Sequence, residues 1–485
     1  MNIKNISTNI GKALLINALF MFISVLISIF YGFDSGFIPL SISCLITLIV
    51  GGFPLIFSRN TSQDSMQDGY ITIVLTWLLS FVFGMLPYII YGGKEFTIMN
   101  AWFESVSGYT TTGSTILTDI EALPHSLLFW RSSTHFIGGL GVIIFLLLIL
   151  PDSSPFKLKL THLELSSISK DGFRYKSTKT IKVILSVYVG LAIAETICLW
   201  VAGMSAFDAV NHAMSTVATG GFSTKNLSIM HYDSVAIDII IMIFMALSAM
   251  HFGIIFAIFA RRSLRPLNNA ITKYYFFVIV LISLMITTSL MKNGEGGSFG
   301  DNLLDSSFQT ISFISTTGFG QSDTANWPVL ASTLLLFAAI HCGCAGSTTG
   351  GLKADRIFIA GKGLAGEFRK KLSPASVFRT KIGGAIIPNE VISNVFLFIV
   401  LYMIVLLASF VAVLMFGVEV SEAFSGTVAS IGNVGPGIGS LGTMGNYSVQ
   451  PEGAKFIYTM DMFLGRLEIF PILIVISMML GKNKS

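Results

Sequence analysis

The sequence predicts an all-α polytopic membrane protein assembled from four similar units. Composition is the first observation: of 485 residues, 53% are hydrophobic and only 12% charged, a balance typical of chains with many bilayer spans. The second is a series of ten apolar runs, each near the ~20 residues that cross a hydrocarbon core as a helix. The third is a Ser/Thr-Gly phrase that occurs four times. It reads Thr110-Thr111-Thr112-Gly113-Ser114, Val217-Ala218-Thr219-Gly220-Gly221, Ser315-Thr316-Thr317-Gly318-Phe319 and Gly432-Asn433-Val434-Gly435-Pro436. The key glycines lie 107, 98 and 117 residues apart, so each unit carries one copy. Irregular backbone survives at membrane depth only where protein shields it or it lines a water-filled path. Four such pieces around one axis make a ring of carbonyl oxygens able to replace an ion's water shell.

The predicted spans run 13–31, 37–57, 70–92, 127–150, 181–202, 234–260, 273–291, 329–350, 391–417 and 456–480. An even number puts both termini on one side. Placing them inside leaves 24 of the 30 Lys and Arg in cytoplasmic segments, as the positive-inside rule requires. These include Lys157, Lys159, Lys170, Arg174, Lys176, Lys179, Arg261, Arg262, Arg265, Arg369, Lys370, Lys371, Arg379, Lys381, Lys482 and Lys484. Only Lys94, Lys225, Lys292 and Lys455 fall outside, while Arg131 and Arg466 lie within spans. The net charge of +4 follows from this topology and gives no support to nucleic-acid binding. No small-residue cleavage site follows the first run, which reads as a span rather than a removable leader.

Each unit then reads span, short half-helix, phrase, span. The half-helices are predicted over 100–109, 208–216, 305–314 and 422–431. Each opens on an acid or amide (Asn100, Asp208, Asp305, Glu422) suited to cap a helix N-terminus. Entering from outside, such a helix aims its negative C-terminal end at the membrane centre, where a dehydrated cation is favoured. For any one copy the alternative is an ordinary outer loop with an interfacial helix; four copies in register favour the re-entrant reading. Glycine in the phrase permits the φ > 0 backbone through which carbonyls converge. Hydroxyl and carbonyl oxygens suit an alkali cation and are poor ligands for a soft metal. Asp119, Glu121, Asp208, Asp233, Asp301, Asp305, Asp323, Glu419, Glu422 and Glu452 share the outer side. There they either raise the local cation concentration or act simply as solvated loop residues.

The third and fourth copies, Thr316-Thr317-Gly318-Phe319-Gly320 and Asn433-Val434-Gly435-Pro436-Gly437, resemble the Thr-Val-Gly-Tyr-Gly loop of potassium channels. From about residue 70 onward the chain resembles the Trk/Ktr/HKT superfamily of potassium transporters, and within it the bacterial Trk-type membrane subunit (the TrkH, TrkG and KtrB group). The resemblance implies two extra N-terminal spans, then four membrane–pore-helix–membrane repeats around a pseudo-fourfold pore. Its divisions would be 1–60 for the extra helices, then repeats over 61–178, 179–265, 266–385 and 386–485. The implied activity is potassium translocation across the inner membrane for uptake, through a four-part selectivity filter and an intramembrane gate. K⁺ would bind at Thr110, Thr111, Thr112 and Gly113; at Ala218, Thr219 and Gly220; at Thr316, Thr317 and Gly318; and at Asn433, Val434 and Gly435. Relatives with Ser at the first glycine position tend toward sodium, so four glycines imply potassium. The fourth copy departs most, with Asn433 and Val434 where other copies place Thr. Both termini would be cytoplasmic, the subunit a homodimer in the lipid bilayer, and no cofactor would bind this chain. The loops 151–180 and 352–390 are too short for a regulatory domain, and no Gly-x-Gly-x-x-Gly follows a strand. The resemblance therefore implies separate nucleotide-binding RCK subunits of the TrkA type on the basic cytoplasmic face, whose lysines and arginines otherwise serve topology and anionic lipid.

The span starting near Ala331 is interrupted by Gly343, Gly346, Ser347, Thr348, Thr349, Gly350 and Gly351, a run that cannot form a regular lipid-facing helix. It is either a kink packed on a neighbour or a movable loop that blocks the pore, and the resemblance implies such a gate. Arg466 is a cation at membrane depth, where it faces an interior or a partner. It either pairs with Glu468 or Glu195, or provides an electrostatic barrier below the filter and contacts the gate loop. His135 and His341 read as hydrogen-bonded packing residues. Cys342-Gly-Cys344 reads as packing rather than half of a metal site, and Cys44 and Cys198 show no disulfide framework. An intramembrane enzyme would need a nucleophile and base or a metal cluster, and none is visible. A secondary carrier for a small solute, built on broken helices, is the alternative.

Overall fold

The computed structural model describes residues 2–57, 65–149, 177–294, 297–373, 380–383 and 385–480. The predicted cytoplasmic charges Lys157, Lys159, Lys170, Arg174, Lys176, Arg379, Lys482 and Lys484 lie outside the described residues. Two long helices, α1 (Ile3–Phe30) and α2 (Phe37–Phe57), form an N-terminal hairpin. At its turn Asp34 accepts hydrogen bonds from Ser28 Oγ (2.6 Å) and from Ser126 Oγ (2.7 Å) and N (3.0 Å), which tie the hairpin to the body. Burial alone would raise the Asp34 carboxyl, but these bonds outweigh it and hold its pKa below the ordinary value.

The body continues with α3 (Met66–Gly84), opened by a Ser65/Asp68 capping box, and α4 (Leu86–Tyr91). Then follow α5 (Ile98–Tyr109), α6 (His125–Ile149), α7 (Ser177–Val201), α8 (Ala206–Val217), α9 (Val235–Ser248) and α10 (Phe252–Arg261). The second half holds α11 (Ala270–Lys292), α12 (Phe299–Ile314), α13 (Val329–His341) and α14 (Ala354–Leu372). A two-residue antiparallel pair comes next, β1 (Lys381–Ile382) with β2 (Ala385–Ile386). The chain ends on α15 (Asn389–Leu414), α16 (Val420–Gly432), α17 (Glu452–Arg466) and α18 (Phe470–Met479).

Among the described residues six helical stretches are long and apolar enough to cross a membrane unbroken. Three predicted spans are not continuous helices, the third as its glycines already implied. The run 234–260 breaks between α9 and α10, which meet at 104°, and 456–480 breaks between α17 and α18 at 106°. At the first break His251 turns its ring back to accept the Gly253 amide at 2.9 Å. At the second, Glu468 (φ 57°) and Ile469 (φ 61°) are both left-handed, which ends any α-helix. The run 329–350 stays helical only to His341; its glycines and hydroxyls form a loop instead. Hydropathy is blind to all three, because averaged over a span-length window a broken run scores like a continuous one.

The four half-helices are α5, α8, α12 and α16, of 12, 12, 16 and 13 residues. At 1.5 Å per residue the shortest reach about 18 Å, well short of a bilayer. Their caps correct the expectation. Hydroxyls at Thr97, Ser205 and Ser298 cap the first three, accepting from the amides of Asn100, Asp208 and Asp301. The predicted caps Asn100 and Asp208 sit three residues inside, Asp305 lies further in, and α16 starts after Glu419 without a side-chain cap. A short hydroxyl reaches its own N3 amide with less strain, while an acid at N3 still complements the dipole.

Packing closes these helices into a circuit. Each rests on the helix that follows the preceding phrase: α8 on α6, α12 on α9, α16 on α13, and α5 on α17. The last contact joins the end of the chain to its beginning.

Candidate functional site

All four short helices end identically. The residue after the last turn is left-handed: Thr111 (φ 52°), Thr219 (φ 57°), Thr316 (φ 56°) and Asn433 (φ 53°). Its amide donates three residues back, to Gly108, Thr216, Phe313 and Ser430. The next amide donates five residues back, to Ser107, Ser215, Ser312 and Ala429; all eight bonds span 2.8–3.1 Å. This is the Schellman closure, normally made with glycine. A β-branched residue there is a genuine outlier costing about 1–2 kcal/mol. Such strain persists only where surrounding structure over-determines it, most often at functional sites. Asn tolerates this conformation best of the four, so the copy most divergent in sequence is equivalent in backbone.

Two residues further on, each copy has a glycine with positive φ: Gly113 (84°), Gly221 (81°), Gly318 (76°) and Gly435 (99°). The second glycine is therefore Gly221. Gly220, taken from the sequence as the filter glycine, occupies the level of Thr112, Thr317 and Val434. Aligning on the Thr-Gly dipeptide sets that copy one residue early; aligning on Thr/Asn-x-Gly finds all four. Each glycine serves a close approach. A Cβ on Gly113 would collide with the Gly220 carbonyl, one on Gly221 with that of Thr317, one on Gly318 with that of Val434, and one on Gly435 with that of Thr112. The four carbonyls and four glycines make one closed ring, each repeat against the next.

Around this ring the side chains are fully buried, and most polar atoms are hydrogen-bonded, while Thr111 Oγ1 and Asn433 Oδ1 lack a partner among the described residues. Thr110 Oγ1 and Thr112 Oγ1 lie 2.8 Å apart, as Ser315 Oγ and Thr317 Oγ1 do at 2.7 Å. Asn433 Nδ2 donates to Thr112 Oγ1 at 3.0 Å and to Met462 O at 2.8 Å, which joins the last copy to the first. Ala218 stands level with Thr110 and brings no hydroxyl. On the side where the chain leaves the ring, one cavity reaches all four glycines. Three of the expected acidic residues are engaged in structure: Asp119 and Glu121 bind Asn226, and Asp208 accepts from Ser205 and Thr224.

The loop 342–353 closes the opposite side. Gly350 N donates to Thr316 Oγ1 at 3.4 Å, and a Cβ on Gly350 would meet Gly432 O and Asn433 Oδ1. Thr348 Oγ1 donates to Val217 O (3.1 Å), at the end of α8. Ser347 and Thr349 pair their hydroxyls at 2.8 Å, and the Gly346 carbonyl accepts from Phe252 N. The sequence-predicted gate residues 346–350 thus touch the inner faces of three filter copies. Arg466 reaches them too: Nη1 donates to Thr348 O at 2.5 Å and Nη2 to Gly138 O at 3.4 Å. Its expected carboxylate partners are elsewhere. Glu468 pairs with Lys353 (2.8 Å), the last residue of the loop, and with Arg356 (2.6 Å) just after it, and no ion pair joins Arg466 to Glu195 among the described residues. Helix α17 ends at Arg466 and turns away at once, so two residues of separation put the cation and the acid on different partners.

His135 Nδ1 lies 2.8 Å from Ser215 Oγ with its ring stacked on Phe222, and His341 bridges Cys342 O and Tyr274 Oη. Cys342 Sγ donates to Ala339 O, and the four cysteines are free. Sequence reasoning missed the Glu104–Arg131 pair, with Nε to Oε1 at 2.8 Å and both side chains buried. Arg131 was visible as a charge in a span; its partner was hidden in a half-helix.

Four strained helix ends around a carbonyl ring, set among six membrane-length helical stretches of the described residues, define an all-α polytopic membrane protein. Comparison with known proteins agrees. A family model described as TrkH, cation transport protein, matches residues 40–485. The chain is 32% identical to the Trk system potassium uptake protein TrkH of Vibrio parahaemolyticus, over 98% of this chain and 99% of that protein. It is 34% identical to TrkH of Escherichia coli K12 over 86% of each chain, and 32% identical to that organism's TrkG over 93% of each. The crystal structure of the potassium transporter TrkH from Vibrio parahaemolyticus superposes with a TM-score of 0.88 at 31% identity, covering 98% of both chains. The chain belongs to the TrkH family of cation transport proteins. The likeness starts earlier than the sequence motifs implied, taking in α2 and, against the Vibrio protein, nearly all of the N-terminal hairpin.

Proposed function

We propose that this chain translocates K⁺ across the bacterial inner membrane for uptake, with the ring of four carbonyls as its selectivity filter and the loop 342–353 as its gate. The observation that carries this reading is the closed circuit of Thr112, Gly220, Thr317 and Val434 carbonyls against the four glycines. Oxygens fixed at such spacing replace the hydration shell of an alkali cation. The C-terminal ends of α5, α8, α12 and α16 converge below them and favour positive charge there. Ions would meet Thr110–Gly113, Ala218–Gly221, Ser315–Gly318 and Gly432–Gly435 in turn. The Thr348–Arg466 contact would then hold the path shut. K⁺ is the cargo, and no cofactor enters the scheme.

The same reading divides the chain into an N-terminal pair (1–60) and four repeats (61–178, 179–265, 266–385 and 386–485), with both termini cytoplasmic. Its relatives are named for a Trk system, which supports association with further Trk components. These would be a second copy of this chain and cytoplasmic nucleotide-binding RCK subunits of the TrkA type on the basic inner face. Rubidium uptake into liposomes holding the purified protein, at an imposed potential and without other gradients, tests the proposal. K⁺ should compete far better than Na⁺. Uptake that requires a second solute gradient would favour the carrier alternative, and absence of K⁺ preference would refute the filter.

A further inference from the structure

Behind the ring, one pore-helix position recurs. Seven residues before each left-handed residue stand Glu104, His212, Gln309 and Gly426. Three of these hold the strand that returns outward from the filter. Glu104 accepts from Thr115 Oγ1 (3.0 Å) and Ile116 N (3.2 Å). His212 Nε2 lies 2.9 Å from Ser223 Oγ. Gln309 accepts from Gln321 N (2.9 Å) in the amide orientation that satisfies both its ends. In the fourth copy the neighbouring Ser425 takes over, accepting from Ile438 N at 3.0 Å. Each filter strand thus has its own strut.

The first strut alone is ionic, and it alone crosses between repeats. Arg131 donates Nε to Glu104 Oε1 (2.8 Å), Nη2 to Thr115 Oγ1 (3.3 Å) and Nη1 to Ser223 O (3.2 Å). Its guanidinium also lies 4.1 Å from the centre of the Phe222 ring, one residue after Gly221. The pair therefore ties the strand after Gly113 to the strand after Gly221. Both side chains are at most 1% exposed. A buried pair seldom adds stability over apolar residues of the same volume. What it supplies here is direction: a planar fork with fixed donors sets the separation of two strands in a way that packing cannot.

We propose that Glu104 and Arg131 are positioning residues for ion selectivity, holding the first and second filter segments at the spacing that favours K⁺ over Na⁺. The proposal rests on the transport reading above, and its test separates the two. In reconstituted full-length protein, rubidium uptake is measured against graded K⁺ and Na⁺, with thermal stability in detergent followed in parallel. The volume-matched Glu104→Leu/Arg131→Met double variant keeps a packed site without the fork. Its K⁺/Na⁺ preference should fall about tenfold at near-wild-type stability, as expected when ligand spacing rather than fold is lost. Arg131→Lys keeps the charge, but one ammonium cannot serve Glu104, Thr115 and Ser223 together, and the preference should fall about threefold. A folded double variant with wild-type preference overturns the proposal. If the double variant does not fold, unchanged preference in Arg131→Lys overturns it instead. Absence of K⁺ preference in the wild type would overturn the transport reading and this proposal with it.

Discussion

The filter and the loop beneath it are both irregular backbone at membrane depth, yet they are built on opposite plans. The filter uses one device four times: a Schellman end, a left-handed Thr or Asn, and a glycine against the neighbour's carbonyl. Every copy is braced by the next, so no segment shifts alone. The loop 342–353 occurs once. Its left-handed residues, Cys342, Gly346, Gly351 and Lys353, do not repeat the filter pattern, and dispersed contacts hold it to α8, α9, α10, α17, the third and fourth filter ends and, through Lys353, to Glu468. Selection of an ion needs equal ligands on all sides. Control of passage, the role proposed above for this loop, needs one element that moves while the others stay.

Breaking the filter should have the largest effect. Gly221→Ser, like Gly113→Ser, places a Cβ at positive φ and against a carbonyl of the next repeat. A cost of at least 1–2 kcal/mol at that point corresponds to about a tenfold or greater loss of K⁺ over Na⁺ discrimination. Rubidium uptake under Na⁺ competition measures it. Unchanged competition in Gly221→Ser would restore Gly220 as the second filter glycine.

Deletion of Gly346–Gly350 attacks the other plan. It removes the contacts with Thr316 and Arg466 and should raise rubidium flux several-fold, on the order of fivefold, while leaving discrimination intact. A folded deletion with flux at or below wild type would make the loop a packing element.

Arg466→Gln comes next. The cation is bound by two carbonyls, not by a carboxylate, so its removal leaves no buried acid unpaired. The variant should lose only about 1–2 kcal/mol of stability, much less than a broken ion pair would cost. Relief of repulsion in a poorly screened path should raise flux about two- to threefold with unchanged selectivity. Thermal unfolding in detergent and flux, measured on the same preparation, check both. A stable variant with wild-type flux would end the barrier role.

The smallest change expected is that of Glu468→Gln. Its side chain is 29% exposed, and its bonds to Lys353 and Arg356 are partly screened. About 1 kcal/mol or less should be lost, with flux rising less than twofold. The effect should shrink further at high salt.

Local chemistry made much of this protein legible in its sequence. The apolar runs, the four phrases and the Lys/Arg asymmetry are each properties of short windows, and so the helical membrane class and the four-part site could be read directly. The loop after His341 was legible because Gly, Ser and Thr in such density cannot stay helical. Helix bends at Met250 and Glu468 were not, because a span and a broken span share one hydropathy profile. Nor was the true cap at Ser298, which lies upstream of the apolar pattern that marks the helix.

Tertiary structure alone decided three things. It set Gly221 rather than Gly220 in the ring, since register depends on which glycine meets the Thr317 carbonyl 96 residues away in the chain. It gave Arg466 carbonyl partners and handed Glu468 to Lys353 and Arg356, since the turn after α17 sends adjacent charges in different directions. It joined Glu104 to Arg131 and Arg131 to Ser223. Residue type and local period follow from side-chain solvation and backbone sterics, which act over a few neighbours. Partner choice is a long-range packing outcome, settled only when the fourth repeat closes on the first.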